Sequence, residues 1–143
     1  MFRYSVILAL VLFSFAYTQN ANINITYNED NDSIDVYMIN DVPLSGFQFN
    51  ISGVNLNGAN GGVTGDYNYT VVASYNGIVL GFNPENIQIP IGEHLLTQLI
   101  IENITSESAC MSDLLFVTTG GELLTTNENI CVDLNNNDIE GCT

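Results

Sequence analysis

The sequence has 143 residues, of which 16 are Asp or Glu and one, Arg3, is Lys or Arg. The formal net charge of −15 excludes nucleic acid as a partner, because phosphate binding requires Lys and Arg side chains. Hydrophobic residues make up 46% of the chain, which excludes an acidic disordered polymer and fits one folded domain.

The N-terminus has the pattern of a secretory signal peptide. A short basic start precedes an apolar run at residues 6–15, and small residues follow it. We expect cleavage after Ala16, with Thr18 or Ala21 as alternative positions, and an uncleaved anchor as the alternative outcome. After cleavage the protein is expected to be exported, without a transmembrane segment, and to reside outside the cell or on a cell or virion surface. The predicted organisation is a signal peptide at 1–16, a domain at 17–134 and an acidic, Asn-rich tail at 135–143.

Alternation of apolar and polar residues predicts strands through most of the remaining chain. The odd-numbered residues from Phe47 to Ile51 are apolar and their neighbours are polar, which predicts a strand with one buried face. The preceding segment, residues 34–40, is apolar on both sides and is expected to lie deeper in a sheet. Residues 40–43 carry turn chemistry that ends in Pro43. We expect these two long strands to form the spine of an antiparallel sandwich.

Further strands are expected on both sides of this pair. Asn76-Gly77 separates two apolar runs, at residues 67–75 and 78–82, and predicts a hairpin with a type I′ turn. The Gly-rich residues 58–62 have too little side chain to pack and predict a flexible loop. The other predicted strands or extended segments are residues 21–27, 53–57, 87–92, 95–104, 111–118, 123–126 and 130–134, with the pair 111–118 and 123–126 forming a hairpin. About nine short strands without a convincing helix indicate an all-β fold, an antiparallel β-sandwich or jelly roll.

Three cysteines follow the predicted signal peptide. Cys110 begins one late strand and Cys131 lies in the last, so neighbouring strands could bring them together. An oxidising compartment favours a disulfide between them over two buried thiols. Cys142 then lacks a partner, which suggests one in another chain or in further sequence.

Oxygen ligands recur at alternate positions near the end of the chain. Asp133, Asn135 and Asn137 resemble the opening of a calcium loop, in which side chains at positions one, three and five face one ion. Position six is Asp138 instead of Gly, and position twelve would fall beyond Thr143. The pattern predicts at best half of a calcium site, and a solvated linker is the alternative. No other cofactor is expected.

Five Asn-X-Ser/Thr sequons are candidate glycosylation sites. A eukaryotic secretory pathway would use them as glycan acceptors and so require surface positions, whereas a bacterial source would leave them bare. Chance is the alternative explanation, because an Asn- and Thr-rich chain produces sequons freely. The acceptor residues are Asn24, Asn31, Asn50, Asn68 and Asn103.

Tyrosines supply the candidate residues for sugar binding. Tyr67 and Tyr69 are expected on one face of a strand and, with Tyr75, could form a small platform for a sugar ring. Ordinary cross-strand packing of aromatic residues is the alternative. No set of nucleophile, acid and base can be assembled around the sole histidine, His94, so we expect no catalytic residues.

The pattern of the strands resembles that of cohesin-like domains, especially those in extracellular proteins of marine bacteria and large algal viruses. The likeness spans roughly residues 22–134 and rests on residues 35–40, 42–49, 79–82, 89–92 and 95–99. It implies a nine-stranded jelly roll close in fold to some carbohydrate-binding modules. It also implies binding of dockerins, small calcium-loop domains, through one sheet face. The ending, residues 140–143, resembles the start of short Cys-containing repeats.

The sequence therefore predicts a non-catalytic extracellular binding module with a dockerin-like protein partner. Two alternatives keep the same fold. One is a carbohydrate-binding module with a polysaccharide partner. The other is a structural or adhesive spacer of a cell surface, fibre or virion, because fold does not fix function.

Overall fold

Two five-stranded sheets, packed face to face, make up the computed structural model, which describes residues 19–135. The strands are β1 (Asn20–Asn28), β2 (Ser33–Asn40), β3 (Gly46–Ser52), β4 (Val54–Asn60), β5 (Thr70–Ala73), β6 (Ile78–Phe82), β7 (Gly92–Ile104), β8 (Ser108–Val117), β9 (Thr125–Thr126) and β10 (Cys131–Asp133). Sheet one has the order β4-β7-β2-β1-β9 and sheet two the order β10-β8-β3-β6-β5. The prediction of a β-sandwich is confirmed. The predicted signal peptide at 1–16 lies outside the described residues.

The two strands expected to organise the chain occupy the middle of opposite sheets. β2 lies between β1 and β7 in sheet one, and its first four residues are buried, as the apolar pattern on both sides predicts. β3 lies between β8 and β6 in sheet two and buries Phe47, Phe49 and Ile51 while Gln48 and Ser52 are exposed. The chain therefore crosses between the sheets in the turn that contains Pro43.

Aromatic side chains fill the core behind β3. The ring of Phe47 lies 6.1 Å from that of Phe49 and 5.6 Å from that of Phe116 on β8, with both pairs stacked. Such offset aromatic pairs add about 0.5–1.5 kcal/mol to their area burial. From sheet one, Ile23, Ile34, Val36, Met38, Leu56, Leu96 and Leu99 face this layer and are fully buried.

The Gly-rich residues 58–62, predicted to form a flexible loop, are instead divided between the end of β4 and the start of a short helix, α1 (Gly62–Asp66), so that prediction is wrong. β4 continues to Asn60, and α1 follows directly. Val63 and Thr64 of the helix are buried, and the Thr64 hydroxyl donates to the Gly61 carbonyl at 2.9 Å. Burial of these two side chains holds α1 in place, although its glycine content alone would favour a flexible segment.

The hairpin of β5 and β6 forms, but with a different turn. Ala73 pairs with Val79, and the Ser74 amide donates to the Ile78 carbonyl. Gly77 has φ +99°, whereas Asn76 is not in the left-handed region, so the predicted type I′ turn is wrong. One left-handed glycine at the end of a longer loop is the alternative hairpin geometry. Tyr67 and Tyr69 precede β5, which begins only at Thr70.

One pair of strands is parallel in a sandwich that was expected to be antiparallel throughout. After β8 the chain makes the expected reversal, with a bridge between Val117 and Leu123. It then crosses to sheet one, where β9 pairs in parallel with β1 at Asn20 and Ala21. β10 returns to sheet two and pairs antiparallel with β8.

An amide side chain continues the edge pairing of β1 beyond β9. Asn127 accepts a hydrogen bond from the Ile23 amide through Oδ1 and donates one to the Ile23 carbonyl through Nδ2, both at 2.7 Å. The backbone N–H and C=O of Ile23, on the side of β1 away from β2, are therefore satisfied by a side chain where β9 no longer pairs. Within residues 19–135, no helix is both long and apolar enough to span a bilayer.

Candidate binding face

The outward surface of sheet two carries an unusual share of exposed apolar side chains. Alternation along each strand points every second residue to solvent. On β5, β6 and β8 these outward residues include five aliphatic or aromatic side chains, with exposed fractions from 40% for Leu80 to 52% for Val72, beside polar ones such as Thr70 and Ser112. We call this surface the apolar face and define it by Val72, Ile78, Leu80, Phe82 and Leu115.

Strand register aligns these side chains in rows. Leu80 pairs with Val72 on β5 and with Gln48 on β3, and Gln48 pairs with Leu115 on β8. Three of the four side chains in that row are therefore apolar. Directly opposed side chains lie about 4.5–5.5 Å apart at Cβ, so this row forms one contiguous surface.

A shallow groove crosses the apolar face above Gly46. Phe82 pairs with Gly46 on β3, which pairs in turn with Val117 on β8. Because Gly46 has no side chain, an open groove of about 370 Å³ lies between the residues of β6 and β8. Phe82 and Leu115 are among the residues that line it. The groove offers an apolar depression of the kind that accepts a partner's side chain.

The floor of this groove is fixed by core packing. Gly81 lies beside Phe47, and a Cβ atom on Gly81 would approach the Phe47 ring to 2.2 Å. The backbone of β6 therefore sits directly on the stacked phenyl rings of the core. Side chains on rigid strands present a preformed surface, which lowers the entropic cost of binding.

Polar groups at the edge of the apolar face are negative or neutral. The Asn50 amide donates to the Asp113 carboxylate at 3.0 Å. Asp113 has φ +54°, beside an irregularity in the β3–β8 register. Residues 19–135 contain no Lys or Arg, so no basic side chain other than His94 neutralises these acids. The face therefore favours a partner that is apolar at its centre and carries no excess of negative charge.

The predicted tyrosine platform does not form. Tyr69 is 8% exposed, and its hydroxyl donates to the carbonyl oxygens of Leu44 at 3.1 Å and Ile87 at 2.5 Å. Tyr67 follows α1 and packs partly against the core. Tyr75 alone is well exposed, in the β5–β6 turn. The prediction that Tyr67 and Tyr69 share one strand face is wrong, because only residues from Thr70 onward are in the strand.

Burial changes the acidity of Tyr69. Desolvation raises the pKa of its phenol above the ordinary value of 10.0, and backbone hydrogen bonding partly offsets the rise. The side chain holds together the segments around Leu44 and Ile87 at one end of the sandwich. Its role is therefore structural.

The five sequons occupy different environments. Asn24, Asn31, Asn68 and Asn103 are exposed, and Asn50 is half-buried. The Asn103 amide donates to the Tyr75 hydroxyl at 3.0 Å, as the Asn50 amide does to Asp113. Glycosylation of these residues stays a prediction.

A disulfide joins Cys110 and Cys131, the pair expected from the sequence. The two residues are directly opposed on β8 and β10, and the bond spans 21 residues of sequence. It lies at one end of the outward surface of sheet two, where Cys110 also pairs with Ser52. Cys142 lies outside the described residues.

The predicted calcium residues are described only in part. The Asp133 carboxylate accepts a hydrogen bond from the backbone N–H of Asn135 at 2.9 Å, and Asn137 lies outside the described residues. Across residues 19–135, no three His, Cys, Asp or Glu side chains are grouped so as to hold a metal ion. Calcium binding stays a prediction.

The sole histidine, His94, lies on β7 and contacts the Pro90 carbonyl through its Nε2 atom at 2.7 Å.

Sequence reasoning did not find the apolar face. Residues 78–82 are apolar or Gly at every position, so their pattern does not show which side chains point outward. The available signal was the neighbouring strand. Once β3 is known to bury Phe47 and Phe49, antiparallel pairing with β6 assigns Leu80 to the outer side with Gln48.

The comparisons with known proteins support this architecture. No family model matches the sequence, and no curated protein matches it. A solved structure of a non-cellulosomal cohesin from the hyperthermophilic archaeon Archaeoglobus fulgidus has a TM-score of 0.57 at 10% identity, covering 88% of this chain and 98% of the cohesin. A chain of the CaDoc0917–CaCohA2 complex, a cohesin–dockerin complex crystallised at pH 5.5, has a TM-score of 0.54 at 17% identity. That match covers 81% of this chain and all of the other. The described chain is a cohesin-like β-sandwich in fold.

Proposed function

We propose that this chain is a non-catalytic module that binds a protein partner of the dockerin type through the apolar face of sheet two. The observation that carries the proposal is the row of exposed side chains across β5, β6, β3 and β8, in which Val72, Leu80 and Leu115 are apolar, with the Gly46 groove beside it. A monomeric soluble protein rarely leaves a large apolar patch uncovered unless it binds something.

The chemistry of the face fits protein binding better than sugar binding. Sugar sites depend on flat aromatic rings, and the tyrosines named for that role are dispersed in the structure. Aliphatic residues dominate the apolar face instead, as in the centre of protein–protein interfaces, where charged residues are depleted. The likeness to a chain of a cohesin–dockerin complex supports a dockerin as the kind of partner.

The proposal places the module outside the cell. An exposed disulfide between two edge-proximal strands supports this location, because such bonds persist in oxidising compartments. It agrees with the signal peptide expected at 1–16. The absence of a catalytic role is part of the proposal as well.

Purified dockerin domains provide the direct test. The domain would be immobilised and exposed to a panel of calcium-loaded dockerins, and dissociation constants would be measured by biolayer interferometry. We expect at least one dockerin to bind, and Leu80→Gln to weaken binding by about 30-fold, the effect of a hot-spot residue worth about 2 kcal/mol.

Ile39→Gln is the matched control. Ile39 is as exposed as Val72 but lies on sheet one, so the substitution should leave the affinity unchanged. If no dockerin in the panel binds, the partner type is wrong. If Leu80→Gln and Ile39→Gln weaken binding equally, the face is wrong.

A further inference from the structure

The outward surface of sheet one contains a small apolar patch on β2, flanked by the half-buried Leu95 of β7. Tyr37 and Ile39 are two residues apart on β2, point outward, and are 39% and 52% exposed. Their partners on β1 are Asn24, opposite Tyr37, and Asn22, opposite Ile39. An exposed aromatic ring therefore stands directly beside a sequon.

The Asn24 sequon is arranged for modification. Asn24 and Thr26 are two residues apart on β1, so that both the acceptor amide and the sequon hydroxyl point to solvent. Within residues 19–135 the Asn24 side chain makes no hydrogen bond. The amides of Asn50 and Asn103, by contrast, already donate to Asp113 and Tyr75, and a glycan would have to displace those bonds.

The pairing of β1 with β2 determines which side chains a sugar on Asn24 can contact. Directly opposed residues have Cβ atoms about 4.5–5.5 Å apart, so a sugar attached to the Asn24 amide is within reach of the side chain of Tyr37. A pyranose presents a face of C–H groups, which carries partial positive charge and complements the negative face of an aromatic ring. Covering Tyr37 and Ile39 would also remove apolar surface from water.

We propose that Asn24 is an N-glycosylation site whose first sugar packs on Tyr37 and Ile39. In the modification, the Asn24 amide nitrogen attacks C1 of the first sugar of a lipid-pyrophosphate-linked oligosaccharide. An N-glycosidic bond forms, the bond from C1 to the pyrophosphate breaks, the amide loses one proton, and the lipid pyrophosphate leaves. The inference does not depend on the apolar face or its partner.

Site occupancy and thermal stability test the proposal together. The protein would be secreted from a eukaryotic host and trimmed to one sugar per site with an endoglycosidase. Because residues 4–143 contain no Lys or Arg, peptides would be made with Glu-C instead of trypsin and analysed by mass spectrometry. We expect Asn24 to carry the sugar, and the protein to melt about 2–4 °C above its Asn24→Gln variant, as one aromatic contact predicts.

The contact with Tyr37 is tested by a double-mutant cycle. In a Tyr37→Thr background, the difference in melting temperature between Asn24 and Asn24→Gln should disappear. In a Tyr75→Thr background it should remain, since Tyr75 is an exposed tyrosine on the other sheet's turn.

Three results would overturn the proposal. Asn24 would be bare while other sequons carry sugar, or the melting difference would persist in the Tyr37→Thr background. Alternatively, the unglycosylated protein would form a dimer that Tyr37→Thr dissociates, in which case a second copy of the chain covers the patch instead.

Discussion

The two outer faces of the sandwich are built from strands of the same kind and differ in what their outward side chains do. On sheet one, Asp35 Oδ1 accepts hydrogen bonds from the Ser33 hydroxyl and the Gln98 amide, each at 3.0 Å, and the polar residues there satisfy one another. On sheet two, the outward residues of β5, β6 and β8 include aliphatic side chains that are 40–52% exposed. Alternation fixes which residues point outward. The chemistry of those outward residues determines whether the surface is stable in water or favours binding to a partner.

The largest effect is expected from the disulfide, which belongs to sheet two alone. Replacing both Cys110 and Cys131 by Ala should lower the free energy of unfolding by about 3 kcal/mol, because the bond closes a loop of about 20 residues in the unfolded chain. Urea unfolding under two-state conditions would measure the change. Hydrogen exchange should rise most in β8 and β10, and least in β2.

Cys142→Ala is the control for that pair, since it removes a thiol without removing the bond between β8 and β10. It should leave the unfolding midpoint unchanged. An equal increase of exchange in β2 and β10 would show that the disulfide does not stabilise sheet two selectively.

A smaller loss of stability is expected from a substitution at Gly81, in the floor of the groove on the apolar face. Gly81→Ala should lower the free energy of unfolding by about 1–3 kcal/mol, because its Cβ would meet the Phe47 ring at 2.2 Å. Thermal or urea unfolding would measure it.

The matched substitution is Gly65→Ala in α1. No atom lies within 4 Å of the added Cβ there, and alanine in a helix is favoured over glycine by about 0.5–1 kcal/mol. Gly65→Ala should therefore be neutral or stabilising. Equal losses at the two positions would contradict the tight contact between β6 and the core.

The smallest change in the free energy of unfolding is expected from Tyr69, the tyrosine that bonds the segments around Leu44 and Ile87. Its raised pKa means that the folded protein keeps the phenolic proton more tightly than the unfolded chain does. The contribution of the protonated Tyr69 to the free energy of unfolding is constant at neutral pH and is lost as the pH rises above about 10. Tyr69→Phe should flatten that alkaline decline and cost about 1–2 kcal/mol at neutral pH, because two carbonyl groups lose a donor. Melting temperatures from pH 7 to 11 would show both.

An unchanged alkaline decline in Tyr69→Phe would assign the pH dependence to another group. Tyr75→Phe is the control for removing a tyrosine hydroxyl, because Tyr75 is exposed and its substitution should affect the stability at neutral pH only weakly.

Much of the sandwich could be predicted because its core strands alternate cleanly. Phe47 to Ile51 alternates over five residues, and residues 95–104, which have some helical propensity, form the long strand β7 as their β-branched residues predict. The Cys110–Cys131 pairing also followed from placing both residues in neighbouring strands.

The rest depends on contacts that local sequence does not contain. α1 is stable because tertiary burial of Val63 holds a Gly-rich turn, and single-residue propensities argue against it. Tyr69 looks like a strand residue, yet hydrogen bonds to Leu44 and Ile87, far away in sequence, draw it inward. The parallel pairing of β9 with β1 is likewise a long-range choice.

The side chain of Asn127 has a consequence for how copies of this protein meet. A strand edge with free amide and carbonyl groups is a template on which another chain can add, and proteins that persist at high concentration must block such edges. β9 covers this edge of β1 at Asn20 and Ala21, and Asn127 occupies both backbone groups of Ile23 with a side chain to which no further strand can be added. One amide side chain therefore extends the protection of this edge past the end of β9.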